Sequence, residues 1–113
     1  MHASFIYADL DNLKDINDTH GHHVGDEAIR VLAQELQRAV RATDTCGRLG
    51  GDEFGVAMPD ADERHASEVA ARVRQSLEEL NRAGNAPVPV QFSIGITSWR
   101  TGLPHGAGQP ARV

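Results

Sequence analysis

Hydrophobic positions recur along this chain with a period that changes from segment to segment, and each change predicts an element. The run Ala3 to Ala8 is almost continuously apolar, as in a buried strand, and ends in Asp9, Leu10 and Asp11. The polar stretch Asn12 to His20 predicts a short helix closed by Gly21. From Val24 to Ala42, Val24, Ala28, Leu32, Leu36 and Val40 recur every four positions, so one stripe of a helix faces a core. Asp26 and Glu27 near its start, and Arg38 and Arg41 near its end, suit the helix dipole. Thr45 to Leu49 and Phe54 to Met58 read as strands joined across Gly50 and Gly51, a glycine pair that predicts a hairpin turn with positive φ.

Pro59 ends the second of these strands. Asp60 and Glu63 then have capping-box spacing, ahead of a helix whose Ala66, Val69, Ala70, Val73, Leu77 and Leu80 share a face. Gly84 stops that helix. Val88 to Thr97 alternates strictly, which predicts a half-buried strand with helices on its apolar face. Residues 1–98 are assigned to one domain core and 99–113 to a disordered Gly/Pro-rich tail, the pattern dissolving from Thr101. The order β-α-α-β-β-α-β, with at least one hairpin, argues for an α+β fold, a sheet with helices on one or both faces.

Composition narrows the classes. The chain's 113 residues, 40% of them apolar, suffice for one small packed domain. A formal net charge of -5 argues against nucleic acid as a partner, although bound cations let an acidic protein handle phosphate substrates. The single cysteine, Cys46, excludes an internal disulfide. No apolar run approaches the roughly 20 residues that span a bilayer. Met1 to Ala8 is too short for a signal peptide and carries no basic region, so the expected location is the cytoplasm. A strand opening at about residue 3 predicts a domain cut from, or fused to, something larger.

Four constellations carry candidate chemistry, each with a plainer alternative. Asp9-Leu10-Asp11 can offer hard oxygens to a cation such as magnesium, or form a solvated strand-to-helix turn with an aspartate cap. Gly50-Gly51-Asp52-Glu53-Phe54 sets two carboxylates beside backbone free of Cβ atoms, open to a charged ligand, or is an ordinary polar turn. If the first strand pairs beside this hairpin, Asp9 and Asp52 converge, and two cations about 3.5–4 Å apart can clamp a phosphoryl displacement. Asn17 and Asp26 match a guanine edge and Lys14 offers a point charge to phosphate; the same residues also suit a polar helix-turn-helix exterior. Arg41 and Asp44, with Arg48 beyond, can grip phosphate or guanine through paired hydrogen bonds, or Arg41 can face its helix C-terminus. His20, His22 and His23 lack the sulfur or distant partner a zinc site usually has.

Together the segments DLDNLKDINDTHGHHVGD (Asp9 to Asp26), RATD (Arg41 to Asp44), RLGGDEF (Arg48 to Phe54) and FSIGI (Phe92 to Ile96) resemble, in order and spacing, the signatures of GGDEF diguanylate cyclase domains. The likeness covers residues 3 to about 98. It implies a palm-like antiparallel sheet of the nucleotide-cyclase, ferredoxin-like kind with flanking helices. It implies that two GTP are condensed to cyclic di-GMP, with release of pyrophosphate and with magnesium, or manganese, as cofactor. The metal ligands implied are Asp9, Asp52 and the Leu10 carbonyl. Asp52, Glu53 and Lys14 are the implied catalytic residues, and Asn17, His22, Asp26, Lys14 and Arg48 the implied substrate-binding ones. Arg41 and Asp44 match an inhibitory site for the product. Each domain holds one GTP, so the resemblance also implies a catalytic homodimer, and with it a fused or partner sensory domain.

The family continues past the FSIGI strand into a lysine-bearing helix and a last strand, and has a segment ahead of the first strand. Neither pattern is found here. The chain is therefore expected to be truncated at both ends, to hold GTP more weakly, and to leave an apolar sheet edge or face bare. Two further readings follow: a catalytically impaired module that binds GTP or cyclic di-GMP through Arg41 and Asp44, and a fragment that folds poorly.

Overall fold

The computed structural model describes residues 1–100. Seven elements follow in the order anticipated: β1 (His2–Leu10), α1 (Leu13–His20), α2 (His22–Ala39), β2 (Thr45–Arg48), β3 (Glu53–Pro59), α3 (Glu63–Ala83) and β4 (Phe92–Arg100). The strands form one antiparallel sheet in the order β2-β3-β1-β4, the ferredoxin-like arrangement. The opening strand is therefore central and pairs on both sides. β4 runs on past residue 98, pairing Trp99 with Ala3 and Arg100 with His2. The rest of the expected tail lies outside the described residues.

The core lies on one face of the sheet. Ile6, Ala8 and Leu10 of β1 and Phe54, Val56 and Met58 of β3 pack against Ala28, Leu32 and Leu36 of α2 and Val69, Val73 and Leu77 of α3. On the other face, Tyr7, Ala57, Gly95 and Thr97 are exposed, and no helix among the described residues covers them. Buried Ser4 ties the layers together: its hydroxyl donates to the Ala61 carbonyl (2.8 Å) and bonds with the Ser98 hydroxyl (2.7 Å).

Four local expectations are corrected. α2 ends at Ala39 rather than at residue 42, because Val40 turns extended and the Asp44 carboxylate captures the backbone N–H of Arg41 (2.8 Å). The cap of α3 is Asp62, which accepts from the His65 N–H (2.9 Å), while Asp60 sits in a left-handed turn at φ 61. The capping box predicted from Asp60 and Glu63 is thus absent. At the hairpin, neither Gly50 nor Gly51 adopts positive φ. Residues 49–52 make a longer loop, closed by the Leu49 N–H on the Glu53 carbonyl (2.8 Å), and such loops do not need primed turns. Finally, β4 starts at Phe92 rather than Val88. The Asn81 side chain hooks both backbone groups of Val90 (2.8 and 2.9 Å), so this stretch is held by the end of α3 instead of a neighbouring strand.

Leu32 is fully buried between the sheet and α3. Leu32→Ala should cost about 2–5 kcal/mol in urea unfolding, the usual range for a buried leucine. Asp62→Ala should cost about 1 kcal/mol as a lost cap, against less than about 0.5 kcal/mol for the exposed Glu63→Ala.

Candidate functional site

The end of β1 meets the tip of the β2–β3 hairpin. Asp9 lies opposite Glu53 of β3 and Ser93 of β4, and the Leu10 N–H donates to the Asp52 carbonyl (2.8 Å). Asp11 accepts from the Ser93 hydroxyl (2.8 Å), which fixes the start of the following turn. Asp9, Asp52 and Glu53 thus gather at one point, and none of them forms an ion pair among the described residues. Asp9 Oδ1 is buried without a hydrogen-bond partner. Burial raises the Asp9 pKa, and the neighbouring Asp52, Glu53 and Asp11 add to the rise.

A buried carboxylate oxygen without a donor, beside a second carboxylate, suits a hard cation. Among the described residues no cluster of three or more His, Cys, Asp or Glu side chains is arranged to hold a metal. Magnesium does not need one, since it is usually held by one or two carboxylates together with water and substrate phosphates. The donor set therefore fits a magnesium ion that arrives with a phosphorylated ligand.

Glu53 bends back over Gly50, where a Cβ would stand 3.1 Å from its Oε1. Arg48 is engaged in the same loop: Nε donates to the Gly50 carbonyl (3.0 Å) and Nη2 to the Gly51 carbonyl (2.6 Å). Its guanidinium braces the hairpin that presents Asp52.

The predicted guanine-reading residues lie on the helix side. Asp26 and Arg48 both line a cleft of about 490 Å³ between α2 and β2, together with Ile29 and Phe54. Asn17 is packed against the backbone of Gly25, where any Cβ would overlap its amide. Asn17 thus sits beside the turn that carries Asp26 but does not line the cleft. His22 is exposed one turn before Asp26 on α2. Lys14 extends from α1, 89% exposed, with only Asp18 near its Nζ (3.4 Å).

Arg41 and Asp44 form a closed pair. The Asp44 side chain is fully buried and accepts from the Arg41 backbone N–H (2.8 Å) and from Nη2 (3.0 Å). The same Nη2 donates to the Pro59 carbonyl (2.7 Å). Burial by itself would raise the Asp44 pKa, but the bonds and charge of Arg41, with His65 adding, hold it below the usual carboxylate value.

Three residues escaped the sequence reading. Arg72 lines a cleft of about 440 Å³ with Arg38 and Arg41, and its Nη2 donates to the Ala39 carbonyl (3.0 Å). His65 lines a cleft with Arg41 and Asp60, and its Nε2 is buried without a partner. Both sit on α3, and no local spacing links them to Arg41. Tyr7, on the open sheet face, has its pKa pushed up to about 12, chiefly by the neighbouring Glu53 carboxylate, then by burial and by the charges of Asp9 and Asp52. Its place two residues before Asp9 was the available signal, since a strand's alternation puts both on one face.

Comparison with known proteins bears on the family and the fold. A family model described as "Diguanylate cyclase, GGDEF domain" matches residues 1–107. The chain is 38% identical over 103 residues to the probable diguanylate cyclase DgcC of Escherichia coli (strain K12), a match that covers 91% of this chain and only 28% of that protein. The active GGEEF domain of a diguanylate cyclase from Vibrio cholerae superposes with a TM-score of 0.78 at 31% identity, over 92% of this chain and 66% of that one. The diguanylate cyclase SiaD of Pseudomonas aeruginosa, solved in complex with its activator SiaC, gives 0.77 at 35% identity, over 91% and 40%.

The raised Asp9 pKa has a signed consequence. The folded state holds the proton more tightly than the unfolded chain, so the contribution of Asp9 to stability is fully present below the ordinary carboxylate value of about 3.9 and is lost as pH rises through the folded value. In thermal melts without divalent ions, this loss should be present in the parent chain and absent in Asp9→Asn. Added magnesium should offset it in the parent only.

Proposed function

The chain belongs to the GGDEF diguanylate cyclase domain family, and from that we propose that it supplies a GTP half-site for condensing two GTP into cyclic di-GMP with release of pyrophosphate. The observation that carries this reading is the junction of Asp9 with Asp52, where a buried carboxylate oxygen lacks any donor. Asp9, Asp52 and the Leu10 carbonyl would hold magnesium or manganese. When bound, the metal makes the ribose hydroxyl more acidic and neutralises charge on the phosphate.

The chain's own residues do the remaining work. Asp26 accepts from the guanine edge at the mouth of the α2–β2 cleft, with Asn17 beside its turn and His22 one helical turn away. Lys14 is free to reach the terminal phosphates as a point charge. Glu53, opposite Asp9, stands where the attacking hydroxyl would arrive, placed to take its proton. One chain offers one such half-site, so the two reacting centres must be brought together by two copies facing each other.

The Arg41–Asp44 pair supports a second, regulatory site for the product at the C-terminal end of α2. A planar guanidinium already aligned by Asp44 is prepared for bidentate contact with phosphate or guanine, and Arg72 borders the same cleft as a second cation. A sensory domain, fused or separate, is the natural source of control, as the much greater length of the E. coli relative suggests.

Purified chain incubated with GTP and magnesium should yield cyclic di-GMP by chromatography, with Asp52→Asn lowering the rate at least about 100-fold. No product at high protein concentration would reject the enzymatic reading for this chain. In calorimetry, Arg41→Ala should weaken cyclic di-GMP binding by about 10-fold or more and leave GTP binding unchanged. Unchanged cyclic di-GMP affinity would remove the regulatory site.

A further inference from the structure

Three carboxylates meet at the end of β1, and like charges so close drive one another towards solvent. Asp9 and Asp52 are constrained by backbone bonds at the strand end. Glu53 is the longest of the three side chains, and no Lys, Arg or His pairs with it among the described residues. Something must keep it at the site. On one side it folds over the Gly50 backbone. On the other, the sheet register supplies a donor.

Tyr7 and Asp9 are alternate residues of β1 and share the open face of the sheet. Asp9 pairs with Glu53 and Tyr7 with Gly55, so Tyr7 and Glu53 are diagonal neighbours on that face, a separation an aromatic side chain can bridge. On its other side Tyr7 pairs with Gly95, where an added Cβ would meet nothing. With glycine opposite it on both flanking strands, the ring has no side chain of its own row to lean on. Phe5 and Leu49 occupy the space over Gly55. An ordinary phenol hydroxyl is a proton donor across the neutral range.

We propose that Tyr7 is a positioning residue whose hydroxyl donates to Glu53 and holds that carboxylate beside Asp9, aimed at the reacting hydroxyl. The proposal rests on the cyclase reading above and adds to it a residue outside the signature segments. Tyr7 acts through Glu53 and touches no reacting atom itself.

Tyr7 is the only tyrosine in the chain, so its near-ultraviolet band reports on this contact without a label, with Tyr7→Phe as the blank. A phenol that donates to a carboxylate absorbs at longer wavelength than a free one. Glu53→Gln should therefore move the band of the full chain to shorter wavelength, and a band indifferent to that change overturns the proposal whether or not the chain turns over GTP. In the cyclase assay, Tyr7→Phe should lower kcat about 10-fold, the worth of one hydrogen bond to a charged group. KM for GTP should stay within about twofold, since the contact serves the transition state and not binding. In a Glu53→Gln background the same substitution should cost nothing further; an equal loss there, or an unchanged kcat in the parent background, also overturns it. If the parent chain makes no product while the band responds to Glu53→Gln, the cyclase reading fails for this chain and the Tyr7–Glu53 contact stands.

Discussion

The hydrogen bond from Leu10 N–H to the Asp52 carbonyl, at 2.8 Å, extends the β1–β3 ladder one step beyond its last paired residues. It forces two acidic segments from different parts of the chain into one small volume. The cost is electrostatic: three carboxylates, none in an ion pair among the described residues, one of their oxygens buried. What resists the repulsion is the apolar layer immediately beneath. Leu10 and Phe54 are buried next to the acidic residues, each burial worth roughly 2 kcal/mol, and they pin the two strand ends from the core side. Hydrophobic packing thus holds a negatively charged cluster together at the strand ends.

The two faces of the sheet divide the labour. The helix-clad face provides the rigidity and, at its β2 margin, the cleft bordered by Asp26 and Arg48. The open face carries Asp9 directly opposite Glu53, with Tyr7 diagonal to Glu53. A base held at one margin and chemistry conducted at the strand ends would both be reached from the same edge of the sheet, which is where the β1–α1 turn and the glycine hairpin come together.

Arginine is used here chiefly as a brace. Arg48 caps the carbonyls of Gly50 and Gly51, and Arg41 bridges the buried Asp44 and the Pro59 carbonyl. Both are residues that the sequence pointed to as ligand contacts. The two uses are compatible, because a guanidinium has five donors in a rigid plane and structural bonds to some of them orient the rest. Arg72 follows the same pattern, satisfying the Ala39 carbonyl at the end of α2 while bordering the cleft that Arg41 enters.

Periodicity along the chain was enough to determine the seven elements, their order and the residues that form the core, because alternation and the helical repeat are local properties that survive whatever the chain packs against. The stripe of Ala28, Leu32 and Leu36, and the alternation of Phe92, Ile94 and Ile96, are examples. The acidic and glycine-rich segments were legible as candidate chemistry for the same reason. Element ends were not: α2 stops where Asp44 captures Arg41, α3 starts at Asp62 rather than Asp60, and β4 waits until Asn81 releases the backbone after Val90. Only the tertiary structure decided which face of the sheet stays bare, that Asp9 and Asp52 share one site, that Tyr7 stands diagonal to Glu53, and that Arg72 meets the end of α2. Those outcomes depend on contacts between residues far apart in sequence, which no local pattern of side chains encodes and which strand register and helix packing impose together.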